Sequence, residues 1–148
     1  MRSAPAHLGH LPHLLAILWA FTRVTPWLPR VRSHAYEAWL MGRIIRRGWV
    51  RVIRDAQGPA GFIARDGARI HALYVHPRAR RRGMGRDLLR DAKSGCARLE
   101  LWVAAAYLPA RRFYAAQGFD EVLCSQGLGN DEGLPDVLMV WSGEGRAR

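Results

Sequence analysis

The chain has 148 residues, 49% of them apolar, and a formal charge of +11 with a pI of about 11.2. That size fits one compact domain, here 1–142 with a tail at 143–148, and is too short for two ordinary domains. The charge is almost all arginine, with Lys93 the only lysine, and it is spread from Arg2 to Arg148 instead of being gathered on one predicted helix, so it does not by itself require nucleic acid. Cys96 and Cys124 are neither closely spaced nor near a histidine cluster, which suits reduced core thiols of a cytoplasmic protein better than a disulfide or a zinc site. No metal-ligand spacing appears anywhere.

The apolar run Leu14-Leu15-Ala16-Ile17-Leu18-Trp19-Ala20-Phe21 is too short to span a membrane, and its flanks do not suit an export signal, with His7, His10 and His13 before it and no clear small-x-small cleavage site after it. Leu11, Leu14, Leu15, Leu18 and Phe21 fall at helical spacing and predict a buried first helix. Thr25-Pro26-Trp27-Leu28-Pro29 breaks that periodicity. A second helix is expected from Ser33, as N-cap, through Tyr36, Ala38, Trp39, Leu40 and Ile44 to terminal arginines. Three strands of an antiparallel meander follow, Trp49 to Arg54, Ala60 to Ala64 and Ala68 to Val75, the last two joined by Asp66-Gly67.

After Val75 comes the most informative stretch of the chain. His76-Pro77-Arg78-Ala79-Arg80-Arg81-Arg82-Gly83-Met84-Gly85 runs from a strand end through a basic, glycine-punctuated loop into a helix whose Met84, Leu88, Leu89 and Ala92 share one side. The first N–H groups of such a helix lack intrahelical partners and lie at the positive end of its dipole, so they would hold a pyrophosphate largely by main chain. Arginine forks at Arg78, Arg80, Arg81 and Arg82 suit phosphate oxygens. A further strand over Arg98 to Val103 makes a strand–helix–strand crossover, hence a parallel pair. A helix from Pro109 to Gln117 capped by Gly118, and a closing hairpin of Phe119 to Cys124 with Val137 to Trp141, complete the chain.

Arg80-Arg81-Arg82-Gly83-Met84-Gly85 resembles motif A of the GNAT N-acetyltransferases, Gln/Arg-x-x-Gly-x-Gly/Ala. Ala110-Arg111-Arg112-Phe113-Tyr114-Ala115-Ala116-Gln117-Gly118-Phe119 resembles their motif B, Ala-x-x-Phe-Tyr-x-x-x-Gly-Phe. The closely matching region is roughly 68–120. The resemblance implies an α/β GNAT fold with a mixed central sheet: an antiparallel N-terminal meander, then a parallel pair splayed at a cofactor slot, all flanked by helices. It implies acetyl-CoA as cosubstrate and an amine acceptor, with no metal, nucleic acid or membrane partner. The oligomeric state stays open, a homodimer included.

In that family the strand before motif A carries a bulge and diverges from its parallel neighbour to admit the pantetheine arm. Backbone groups of Leu73, Tyr74 and Val75 would pair with the pantetheine amides, and an N–H there would stabilise the oxyanion that forms when the acceptor amine attacks the thioester directly. The loop and helix start at Arg80, Arg81, Arg82, Gly83, Met84, Gly85 and Arg86 would hold the phosphates, with Tyr107 and Phe113 alongside. Tyr107 stands where relatives often place a cofactor-contacting asparagine, so that contact is absent or replaced.

Tyr114 matches the motif B tyrosine that serves as general acid to the leaving thiolate; its other reading is a core tyrosine. His71, with an ordinary pKa of about 6.5, is the candidate general base on the motif A strand, which carries no glutamate between Ala68 and Val75. The alternative is deprotonation of the amine through water. The acceptor side would be framed by Trp27, Tyr36, Glu37 and Trp39 and by Asp131, Glu132 and Asp136, groups suited to a cationic amine or simply to core and solvated loop. A GNAT-fold protein that binds acyl-CoA without turnover, as a sensor or partner-binding module, fits the same motifs. A basic nucleic-acid-binding domain fits the charge but lacks a recognisable binding helix or aromatic platform.

Overall fold

The computed structural model describes residues 2–23, 33–127 and 134–143. Its centre is a seven-stranded mixed sheet in the order β1-β2-β3-β4-β5-β7-β6, formed by β1 (Ala4–Pro5), β2 (Val50–Asp55), β3 (Gly58–Asp66), β4 (Arg69–Val75), β5 (Arg98–Ala104), β6 (Asp120–Ser125) and β7 (Asp136–Ser142). All neighbouring pairs are antiparallel except β4 with β5. Two helices, α1 (Leu11–Arg23) and α2 (His34–Arg46), precede the meander; α3 (Met84–Ser94) and α4 (Leu108–Ala116) flank β5 in sequence.

Two cores result, one on each face. Leu14, Leu15 and Ile17 of α1 and Met41 and Ile45 of α2 pack against Val50, Val52, Phe62 and Ala64. On the opposite face Met84, Leu88, Leu89 and Ala92 of α3 are buried with Ile53, Ile63, Leu99, Leu101, Val137, Met139 and Trp141, as their spacing on the helix requires. Ser33 caps α2, its hydroxyl accepting from Tyr36 N–H at 3.1 Å.

Several expectations need correction. β3 begins at Gly58, not Ala60, because Asp55 accepts from Gln57 N–H at 2.8 Å and tightens the preceding turn to Ala56-Gln57. The short β1 was not foreseen: Ser3 is buried and held by Asp91 and Arg51, which ties the N-terminal segment to β2 and α3. Of the two cysteines, Cys96 is half-buried and packs against the α3 core, whereas Cys124 is exposed, because β6 is an edge strand with one covered face at most. Gly143 is anchored by its N–H to Ala97 C=O at 2.8 Å; the rest of the expected tail, 144–148, lies outside the described residues, as does the break at Thr25–Pro29. Among the described residues no helix is long and apolar enough to cross a membrane.

Candidate functional site

The parallel pair is joined only at its start. Arg69 is opposite Glu100, and Glu100 N–H donates to Ala68 C=O at 2.8 Å; no ladder continues beyond that point. The strands diverge toward their C-terminal ends, and a cavity of about 1530 Å³ opens between them, with Leu73, Tyr74 and Val75 on one wall and Leu101, Trp102, Val103 and Ala104 on the other. That exceeds the usual small-ligand pocket of roughly 300–1,000 Å³, leaving room for a long ligand and a second reactant.

A bulge in β4 shapes the wall. Ala64 is opposite Ala72 but Arg65 is opposite Ile70, so His71 has no partner on β3. The extra residue shifts the alternation: Ile70, Leu73 and Val75 pack with the α3 core, while Ala72 and Tyr74 pack with the α1–α2 core. The apolar spacing of three then two along Ile70, Leu73 and Val75 is the sequence trace of this bulge. His71 is thereby exposed to the cavity and stacked on Trp49, ring centroids 5.2 Å apart and planes 6° apart. Partial burial and the neighbouring Arg69 hold its imidazole below the ordinary histidine value, which favours the neutral form.

The basic loop wraps the slot mouth. Arg81 has φ +66° and Gly83, the N-cap of α3, has φ +79°; Arg81 is the only non-glycine with positive φ among the described residues. No side chain caps α3, and its first intrahelical donor is Asp87 N–H to Gly83 C=O at 2.9 Å, so the preceding N–H groups lie at the positive end of the helix. Arg80, Arg81, Gly83, Met84, Gly85 and Arg86 all line the cavity, as do Tyr107 and Phe113. Gly85 lies under Phe113: a Cβ there would stand 3.0 Å from Phe113 Cζ.

Arg82 departs from the expected set. It lies outside the cavity wall and pairs with Asp55 at 3.6 Å, and Arg78 binds the same carboxylate at 3.3 Å while donating to Pro59 C=O at 2.9 Å. Two of the four arginines therefore fix the loop to the β2–β3 turn. Sequence reading missed Asp55 because the partners are more than twenty residues apart. Arg78 and Arg82 hold the Asp55 carboxyl below its usual range. A depressed folded-state pKa stabilises above the unfolded value and is lost as pH falls through the folded one. Urea unfolding between neutrality and pH about 3 is thus expected to show an acid-labile component that Asp55→Asn removes.

Tyr114 is buried on α4 and also reaches the cavity, with Phe113 and Phe119 edge-on at 5.2 and 5.5 Å. Burial pushes its phenol well above the ordinary tyrosine value, with Tyr74 and Tyr107 adding to the shift, so it remains a proton donor throughout the neutral range. Tyr74 and Tyr107 both pack on Phe21 of α1, at 4.8 and 5.6 Å. Phe21 is a cavity residue that sequence reading placed only in the core.

Of the acceptor-side candidates, Glu37 and Asp136 line the cavity, and Glu37 accepts from Trp19 Nε1–H at 3.1 Å. Tyr36 and Trp39 are exposed and stacked on each other at 5.8 Å, away from its wall. Trp27, Asp131 and Glu132 lie outside the described residues.

A splayed parallel pair beside an uncapped, glycine-started helix is the arrangement the motifs implied. The model of the acetyltransferase (GNAT) domain family matches residues 33–121, more than half of the chain. This protein belongs to the GNAT acetyltransferase family. The peptidyl-lysine N-acetyltransferase YiaC of Escherichia coli K12 is 35% identical over 82 residues, 55% of this chain and 55% of that protein; the match spans about half of that relative's length. Among solved structures, a GNAT acetyltransferase from Bacillus cereus superposes with a TM-score of 0.77 at 16% identity, covering 95% of this chain and 96% of that one. Apo YjaB from Escherichia coli gives 0.76 at 22% identity, covering 96% of each chain. PaiA N-acetyltransferase from Thermoplasma acidophilum, solved with coenzyme A, gives 0.68 at 18% identity over 95% of this chain and 98% of that one. These likenesses confirm the mixed-sheet GNAT fold. Among the described residues no group of side chains could hold a metal ion.

Proposed function

We propose that this GNAT protein, as a single domain over 1–142, is an acetyl-CoA-dependent N-acetyltransferase that acetylates a primary amine of a small molecule or peptide in a ternary complex. The observation that carries the reading is the slot itself: β4 and β5 part after one register pair, directly beside the uncapped start of α3. The cradle fits a pyrophosphate by main chain at Gly83, Met84 and Gly85, with Arg80, Arg81 and Arg86 supplying charge. Arg82 is assigned to the loop anchor at Asp55 instead. Acetyl-CoA would supply the activated acyl group; the edge of β4 at Leu73, Tyr74 and Val75 would orient its pantetheine arm and present an N–H to the thioester oxygen. Tyr107 and Phe113 would flank the arm where it meets α4.

His71 and Tyr114 divide the proton work. A neutral imidazole on the α1–α2 side of β4 accepts the ammonium proton, directly or through water, and the protonated Tyr114 phenol donates to the departing thiolate. His71→Ala is expected to lower kcat/KM by about 10²-fold near neutrality and to remove the acid limb of its pH profile. An unchanged rate and profile would leave the proton to water alone.

The decisive test is thermal unfolding across an acetyl-CoA titration. Saturation at about a hundred times the dissociation constant should stabilise the fold by roughly 2.7 kcal/mol. A clear rise followed by acetylated product in an amine screen supports the proposal. A rise with no turnover on any amine would favour a non-catalytic acyl-CoA sensor, and no rise would remove the cofactor site.

A further inference from the structure

Helices α1 and α2 cover β2, β3 and β4, and among the described residues no element covers the same face of β5, β7 and β6. The register defines its rows. Glu100, Val140 and Asp120 form one; Trp102, Leu138 and Leu123 form the next; Ala104, Asp136 and Ser125 form a third. Rows two residues apart lie about 7 Å from each other. The central row is apolar and open, with Trp102 39% and Leu123 55% exposed, and the bulged Val122 beside it is 55% exposed. Carboxylates stand in the rows on either side, with Arg98 paired to Glu100 at one end. Trp102, Ala104, Ser125 and Asp136 also line the cavity, so the face runs into the proposed active site.

Charge sets this face apart. Its rows carry Glu100, Asp120 and Asp136 against Arg98 alone, on a chain whose formal charge is +11. On a molecule this cationic, the open sheet face is where a cationic partner meets attraction instead of repulsion. Contiguous exposed apolar residues rimmed by charge mark an interaction surface.

We propose that the open face of β5, β7 and β6 docks a cationic, partly apolar polypeptide segment: its apolar side chains lie on the Trp102, Leu138 and Leu123 row, and its lysines or arginines reach Asp120 and Glu100 beside that row. A second copy of this chain fits poorly, since a two-fold apposition would set the Glu100, Asp120 and Asp136 rows against themselves, and the Val122 bulge interrupts edge pairing along β6. Nucleic acid would meet like charge. The docking itself does not depend on acetyl transfer; only the delivery of a peptide amine to the cavity rests on the function proposed above.

The test is fluorescence anisotropy with a short labelled peptide alternating lysine and leucine, measured without acetyl-CoA. Binding is expected, weakened about tenfold or more when the peptide's lysines become glutamate or its leucines become serine. Leu123→Arg and Asp120→Lys should weaken it similarly while leaving the acetyl-CoA-induced rise in unfolding temperature unchanged, which also shows that the variants fold. Equal binding of the glutamate peptide, undiminished binding by both variants, or self-association abolished by Leu123→Arg would overturn the proposal. A protein that binds the peptide but not acetyl-CoA would retain this surface and lose the acetyltransferase reading; one that acetylates small amines without binding the peptide would do the reverse.

Discussion

Tyr114→Phe is expected to lower kcat by about 10²-fold, within the range that a positioned general acid contributes, while the acetyl-CoA-induced stabilisation and the unfolding temperature stay close to those of the parent. The geometry separates these effects. The ring supplies the packing, edge-on to Phe113 at 5.2 Å and to Phe119 at 5.5 Å, and phenylalanine reproduces those contacts. Only the hydroxyl is removed, and it belongs to a phenol that burial keeps protonated. Without it the thiolate must leave unprotonated or take its proton from water. Because the phenol pKa is raised, Tyr114 should contribute no basic limb to the rate profile below about pH 10. A lowered unfolding temperature with unchanged kcat would make Tyr114 a packing residue.

Gly85→Val is expected to abolish most of the acetyl-CoA stabilisation, reducing roughly 2.7 kcal/mol at a hundredfold excess over the dissociation constant to near zero. The cause is steric. A Cβ at Gly85 would stand 3.0 Å from Phe113 Cζ and 3.4 Å from its Cε1, closer than a valine with two further methyl groups can be accommodated. Phe113 is itself a cavity wall residue, so either its ring swings into the slot or the first turn of α3 lifts away and its N–H groups lose their aim. Gly95→Ala at the other end of α3 is the matched control. Its new Cβ would meet its nearest neighbour, the Arg65 side chain, at an ordinary 3.5 Å, and its backbone is right-handed, so binding should persist. Full stabilisation in Gly85→Val would mean that the phosphates are not held at this helix start.

Much of the fold was legible because local periodicity and capping agree with the tertiary arrangement. Ser33 caps α2 as read, Met84, Leu88, Leu89 and Ala92 are buried together, and the strands of the meander pair in sequence order. The site was legible where it is contiguous: Leu73 to Val75 and Arg80 to Arg86 are single stretches of chain, and all but Arg82 reach the cavity. Arg82 misled because an arginine beside a phosphate loop has the same local signature whether it faces a ligand or a carboxylate. Tyr36 and Trp39 misled in a related way, since helical spacing places them on α2 without saying whether that face meets the slot or solvent.

By itself, then, the order of residues determined the element sequence apart from β1, the family, and the glycine-started helix α3, since each depends on spacing within one segment. Tertiary structure alone decided the rest. The bulge that frees His71, the claim of Asp55 on Arg78 and Arg82, the convergence of Phe21, Tyr74, Tyr107 and Tyr114, and the uncovered face of β5, β7 and β6 all arise from residues distant in sequence. Their positions follow from which strand lies beside which and where the helices stop, and those are settled by burial and register across the whole sheet.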